Sequence, residues 1–235
     1  MAQQDRAIRT KRQLLEAAAK VFEAHGYDGA TVQEILDKAG LTKGSMYYHF
    51  KKKEELAVAV LKEQVMDIQV EPQPLKLQEF VDIAMVLAYM LRTNPIQQAA
   101  ARLTMEQGKQ PLDRAQAMRD WTTVVVDLMS EARARGEIRL GADIEACADL
   151  YVGAFAGIQN QSRALCNRED LGQRLTVLFT YTMPSIAVPE VLVQLDVSPE
   201  RGEKVAKAMA GPVQSGDETA AELVDDQPDS ELAPL

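Results

Sequence analysis

"ATVQEILDKAGLTKGSMYYHFKKKEEL", residues 30–56, decides the fold. Thr31 followed three positions later by Glu34 is the spacing of a capping box, in which each side chain satisfies the other residue's backbone N–H. The helix it opens, "VQEILDKA", stops at Gly40, a residue able to take the left-handed conformation that ends helices. Thr42 then starts a second short helix, running to about His49. Two short helices joined by a tight glycine turn form a helix-turn-helix unit. On the second helix Met46 and Phe50, four apart, turn inward toward Ile35, Leu36 and Leu41. Lys43, Gly44, Tyr47 and Tyr48 are left facing out.

That outward face has the chemistry of a DNA reader. A helix in a major groove needs small or hydroxyl residues at its N-terminus, long polar side chains for base edges and donors for phosphates. In "TKGSMYYH", Lys43 is the candidate base reader, and Gly44 removes bulk where the backbone comes closest. The Tyr47 and Tyr48 hydroxyls and the His49 imidazole can donate to phosphates, and Lys53 adds positive charge at a helix start. Each feature alone has an ordinary explanation, Tyr-Tyr-His as packing and the lysine run as a solvated turn. The capped helix and tight turn in front of them favour DNA.

Charge supports a local interface. Residues 1–63 hold 11 Lys+Arg and 9 Asp+Glu out of 26 and 35, a balance of +2 against −11 for the rest. A pI near 4.9 argues against a basic coat, so any nucleic-acid contact is confined to this unit. The 235 residues are 46% hydrophobic and 5% aromatic and favour helices, which predicts an all-α chain. Two cysteines and two histidines give neither a disulfide framework nor a tetrahedral metal site, and no cofactor is expected. The charged N-terminus lacks a signal-peptide core, and "IAMVLAYML" at 83–91 is about half a membrane span. A cytoplasmic protein without membrane contact is expected.

Before residue 30, Leu15, Ala18, Ala19 and Phe22 recur at helical spacing from Arg9 to His25, with Gly26 as the stop. A fourth helix is expected at about 53–68, and "VEPQPLK" at 70–76 breaks the chain. Helical segments then follow at 77–93, 95–107, 112–135, 143–166, 168–188 and 198–210, with Pro184 kinking or ending the fifth. The organisation expected is a DNA-binding domain at 1–52 and a ligand-binding and dimerisation domain at 53–210. The tail at 211–235 has seven acids and no Lys or Arg, and is expected to be disordered.

Two features of the larger part point to function. "MRDWTTVVVDLM" sets Trp121, the only tryptophan, four residues before Val125 on one helical face. With Met85, Tyr89, Phe155, Gln159 and Gln64 it could wall an apolar cavity for a small hydrophobic ligand; equally, Trp121 could be plain core. Residues 143–166 carry Ala146, Ala148, Gly153, Ala154, Ala156 and Gly157, which allow close packing in a homodimer or within one chain. A helix-turn-helix of this size contacts one half-site, so a two-fold dimer is expected.

The stretch from Ala30 to Leu61 resembles the DNA-binding signature of TetR-family transcriptional regulators. In that signature a capped helix, a glycine-hydrophobic turn and a recognition helix ending Leu-Tyr-x-His-Phe precede Lys-x-x-Leu. Met46 stands where leucine is usual. The resemblance implies DNA contacts by Thr31, Gln33, Thr42, Lys43, Gly44, Ser45, Tyr47, Tyr48, His49 and Lys53. It also implies an N-terminal arm carrying Arg6 and Arg9 toward a minor groove. A four-helix dimer bundle, two helices from each subunit, belongs to the same pattern.

A narrower resemblance covers residues 5–210. "KEELAVAVLKEQ", "EARARGEIR", "YVGAFAGIQNQSR" and "EDLGQRLTVL" are similar to γ-butyrolactone autoregulator receptors, a branch of that family. There the matching tryptophan lines the ligand cavity, and signal-binding members tend to be acidic. The implied function is a repressor of double-stranded operator DNA released by a butyrolactone- or butenolide-type signal. The alternative is a relative that is an orphan for such signals or answers another hydrophobic ligand such as an antibiotic. An enzyme would need a nucleophile, base or metal brought together, and His25 and His49 supply no such group.

Overall fold

The capping box at Thr31 is formed. Glu34 N donates to Thr31 Oγ1 at 3.2 Å, and Thr31 N donates to Glu34 Oε2 at 2.9 Å. Gly40 is left-handed at φ 63 and ends the helix. The computed structural model describes residues 2–66, 68, 70–106 and 113–209, and of these the side chains of 2, 3, 64–66 and 114 are not described.

The helices in chain order are α1 (Ala2–Gly29), α2 (Val32–Ala39), α3 (Lys43–His49), α4 (Lys53–Met66), α5 (Lys76–Thr93), α6 (Pro95–Met105), α7 (Arg114–Ala134), α8 (Ile144–Cys166), α9 (Leu171–Thr182), α10 (Pro189–Leu192) and α11 (Arg201–Met209). The fold is all-α. Among the described residues the one β feature is an antiparallel bridge between Ile138 and Ala187.

Several boundaries differ from the sequence reading, α1 beginning at Ala2 rather than Arg9 and α10 being unexpected, and three of the differences have a local reason. α1 continues past His25, because Gly26 turns the chain at φ 71 and a further helical turn follows. Its φ of 71 with ψ of −178 is a backbone conformation that side-chain-bearing residues rarely adopt, so glycine suits this kink. The helix expected to reach 188 ends at Thr182. Pro184 lies in a 3₁₀ turn, and the chain then extends so that Arg139 N donates to Ile186 O at 2.8 Å. That helix also starts at Leu171, after Asn167 and Arg168 adopt left-handed conformations.

Apolar side chains gather in two clusters. The first holds Leu14, Phe22, Ile35, Leu36, Met46, Phe50, Leu56 and Val60 of α1 to α4 with Ile96, Ala99, Ala100 and Leu103 of α6. The second holds the buried faces of α5 and α7 to α9 with Val191. α6 spans both, with Ala101 in the second cluster and its neighbours in the first. It is therefore the packed link between the N-terminal helices α1 to α4 and the rest.

Two long-range polar contacts fix α5, the central helix. Its first turn has no local side-chain cap; instead buried Glu137 accepts from Lys76 N at 3.0 Å and Leu77 N at 2.9 Å. This places a carboxylate at the positive end of the helix. On its far side Arg201 of α11 pairs with fully buried Asp82 at 2.7 Å, and Gly202 lies against the Met85 carbonyl. Residues 211–235 lie outside the described residues.

Candidate functional site

α3 is built to present its outer face. Thr42 caps it by accepting from Ser45 N at 3.3 Å, and Met46 is buried at 1% exposure beneath it. Tyr47 and Tyr48 stand 56% and 80% exposed, and the Tyr48 ring meets that of His49 edge-on at 4.9 Å. Lys43 and Gly44 are exposed at the start of the helix. A Cβ at Gly44 would meet only Thr42 Oγ1, at an ordinary 3.8 Å. Packing within the chain therefore does not require glycine there, although it costs a helix about 1 kcal/mol relative to alanine.

On α2, Gln33 is exposed and donates to Asp37 at 2.7 Å, while Thr31 is committed to its cap. Three expected contacts are placed differently. Arg6 and Arg9 are exposed on the early turns of α1 rather than in an extended arm. Lys53 turns away from the α3 face: its ammonium donates to Tyr27 O at 2.7 Å and Ala30 O at 2.8 Å, over the Tyr27 ring. The unsatisfied carbonyls at the end of α1 draw the cation inward.

The second site is an apolar cavity among α5 to α9 containing about 850 Å³ of empty space, including the part open to solvent. Trp121, Val125, Phe155 and Gln159 line it as expected from helical phase. Met85 and Tyr89 do not. α5 is buried nearly all round, so its apolar pattern does not say which face meets the cavity. Phe80, Ile83, Ala84, Leu87 and Leu91 form the wall, whereas Met85 lies against Gly202 of α11. The Gln64 side chain lies outside the described residues.

Polar groups in this cavity are few. Tyr151 donates its hydroxyl to Thr182 at 2.7 Å, and burial pushes its pKa up to about 12, so it is a neutral wall. Tyr151, Phe80 and Phe179 interlock edge-on or tilted, with ring centres 5.0 to 5.9 Å apart. The sequence reading missed this trio because each residue lies on a different, widely separated helix. Trp121 Nε1 is buried and has no hydrogen-bond partner among the described residues. A buried N–H without an acceptor costs about 1–3 kcal/mol.

The outer faces of α8 and α9 are apolar and exposed at Leu150, Leu165, Val177 and Tyr181. A Cβ at Gly153 or Gly157 would meet nothing within 4 Å, so these glycines leave a flat surface open to close approach. Among the described residues there is no cluster of three or more His, Cys, Asp or Glu able to hold a metal. None of the described helices is long and apolar enough to cross a membrane.

Residues 14–60 match the bacterial regulatory proteins of the tetR family. Over 199 residues the chain is 35% identical to the A-factor receptor protein of Streptomyces griseus, covering 83% of this chain and 70% of that one. The chain belongs to the TetR family. The crystal structure of TylP, a TetR regulator from Streptomyces fradiae, superposes with a TM-score of 0.81 at 40% identity, covering 86% of this chain and 98% of TylP. A γ-butyrolactone receptor (ArpA-like protein) shares the fold with a TM-score of 0.60 at 20% identity, covering 86% of this chain and 98% of that one. TetR regulators bind operator DNA, act as dimers and bind small ligands. In this TetR-family chain the face of α3 and the Trp121 cavity lie in the two parts joined by α4 and α6.

Proposed function

We propose that this TetR-family regulator is a ligand-responsive repressor that binds a pseudo-palindromic operator as a homodimer. A small diffusible signal of γ-butyrolactone or butenolide type would release it. The observation that carries the reading is the largely apolar cavity walled by Trp121, Val125 and Phe155, with Gln159 among its few polar groups. It suits a neutral ligand with one polar group toward Gln159 and an alkyl chain along Phe80, Leu87 and Val125. Among the described residues no lysine or arginine lines the cavity, which disfavours an anionic ligand. The likeness to the A-factor receptor protein supports the same ligand class.

The exposed apolar and glycine surface of α8 and α9 supports the homodimer, which sets two α3 helices toward successive half-sites. Ligand acts by preferring one of two spacings of the reading heads, since only a difference in affinity between two states moves the equilibrium. The test is selection of a duplex from a random library, followed by titration of the complex with a panel of butyrolactones and butenolides. Release by one of them at low concentration supports the reading. Release only by unrelated hydrophobic compounds, such as an antibiotic, supports the alternative ligand class. A protein that selects no duplex sinks the repressor reading altogether.

A further inference from the structure

Between the cavity and the DNA-reading unit lies a polar seam that the ligand reading does not use. Arg168 is 2% exposed, and its backbone sits in the left-handed region at φ 67, a strained conformation for a residue with a side chain. Its Nε donates to Gln159 Oε1 at a long 3.4 Å, and the same Gln159 lines the cavity. Arg168 Nη2 is buried and has no hydrogen-bond partner among the described residues. A buried guanidinium with an unmet donor is costly. Burial pulls its pKa down, and the charge of Glu23 opposes that shift.

Glu23, on α1, is the counterpart. One carboxylate oxygen pairs with Arg163 of α8 at 3.2 Å. The other is buried and likewise without a partner among the described residues. Burial raises the Glu23 pKa, and Arg163, Arg168 and Arg102 lower it. The Glu23 carbonyl accepts from Arg102 of α6, which pairs with Glu106 at 2.9 Å, and Glu106 accepts from Tyr27 N at 2.9 Å. An orphaned donor beside a cavity-wall amide is thus coupled by charge alone, from Arg168 to Glu23, to a second group that holds an orphaned acceptor and ends on the kinked segment of α1.

We propose that Arg168 is a positioning residue with two stations, one shared with Gln159 and one closed on Glu23, and that engagement of Gln159 from the cavity selects the second. In that second station the guanidinium gives up the Gln159 oxygen and fills the open Glu23 oxygen. This draws α8 and α1 together at the seam and tilts the segment that carries α2 and α3. The proposal rests on reading the cavity as the ligand site. It differs from a simple steric push because it requires a charge, at Arg168, and a carboxylate, at Glu23.

Hydrogen exchange on the full-length protein tests it without any ligand. Gln159→Leu removes the acceptor that holds Arg168 in its first station. It should change exchange in α1 between residues 18 and 30 by between about two- and thirty-fold, the span of coupling energies in such networks. Val125→Ala, which alters the same cavity away from the seam, should leave those amides as in the wild type. In an Arg168→Met background, or in Glu23→Gln if the former does not fold, Gln159→Leu should have no further effect on α1. The proposal is overturned by unchanged α1 exchange in Gln159→Leu, by an equal response to Val125→Ala, or by a response that survives removal of Arg168 or of the Glu23 charge. None of these outcomes depends on identifying the natural ligand, so failure of the ligand assignment is read separately.

Discussion

The Lys53 ammonium lies 4.4 Å from the centre of the Tyr27 ring and donates to the Tyr27 carbonyl at 2.7 Å. With the bond to Ala30 O it ties the first turn of α4 to the kinked end of α1. Lys53→Ala is therefore expected to lower stability by about 1.5–3 kcal/mol, the range of hydrogen bonds to charged groups. Its effect on the salt dependence of DNA binding should be small. Thermal melts beside duplex titrations at several salt concentrations decide this; a flattened salt slope with an unchanged melt would return Lys53 to the phosphate face.

Lys43 is exposed at the start of α3 and makes no hydrogen bond or ion pair within the described residues. Lys43→Ala should cost about 1–3 kcal/mol in operator binding and relax discrimination at one base pair. Binding to a library of single-base operator variants measures this. A uniform loss across all sequences would make Lys43 a phosphate contact instead.

Trp121 offers a single-source fluorescence signal. A bound signal molecule should quench or shift its emission. Trp121→Phe should keep DNA binding while requiring much more ligand for release, since most of the apolar area remains but the N–H is lost. Trp121→Ala is a poorer probe, with about 3–5 kcal/mol of stability at risk from the void. Release of the Phe variant at the wild-type ligand concentration would place the ligand elsewhere.

Gly202 is where α11 meets α5. A Cβ there would fall 2.0 Å from the Met85 carbonyl oxygen, so Gly202→Ala must push α11 off α5 or shift both. A loss of about 1–3 kcal/mol is expected, as for other overpacked sites. Differential scanning calorimetry checks the size. An unchanged melting temperature would show that α11 does not hold α5.

Asp170 accepts from Arg174 at 2.7 Å and from Ser162, and these bonds hold its pKa well below the ordinary value. The unfolded chain then binds more protons at this group than the folded one, so its contribution is present above the ordinary aspartate pKa of about 3.9 and is lost on further acidification. Urea unfolding between about pH 6 and pH 3 should show a shallower acid decline in Asp170→Asn than in the wild type. Equal slopes would mean the pair is not maintained in solution.

What was legible in the sequence is whatever nearest neighbours settle. Thr31, Glu34, Gly40 and Thr42 act within one turn of themselves, so their caps and the orientation of Met46 against Tyr47 follow from spacing alone. Trp121, Val125, Phe155 and Gln159 were legible as a cavity wall through helical phase together with family resemblance. The wall on α5 was not, because a helix buried on several sides carries no polar stripe to orient it, and Met85 and Leu87 look alike in sequence.

By itself, then, the sequence determined the all-α class and most of the helices, the caps of α2 and α3, which face of α3 is exposed, and the family. Tertiary structure decided the direction of each long polar side chain. Lys53 turns toward carbonyls 23 and 26 residues away, Glu137 caps a helix 60 residues earlier, and Arg168 is buried between Gln159 and the field of Glu23. A flexible charged side chain goes wherever folding leaves an unsatisfied group of opposite polarity, and that place exists only once distant segments have met.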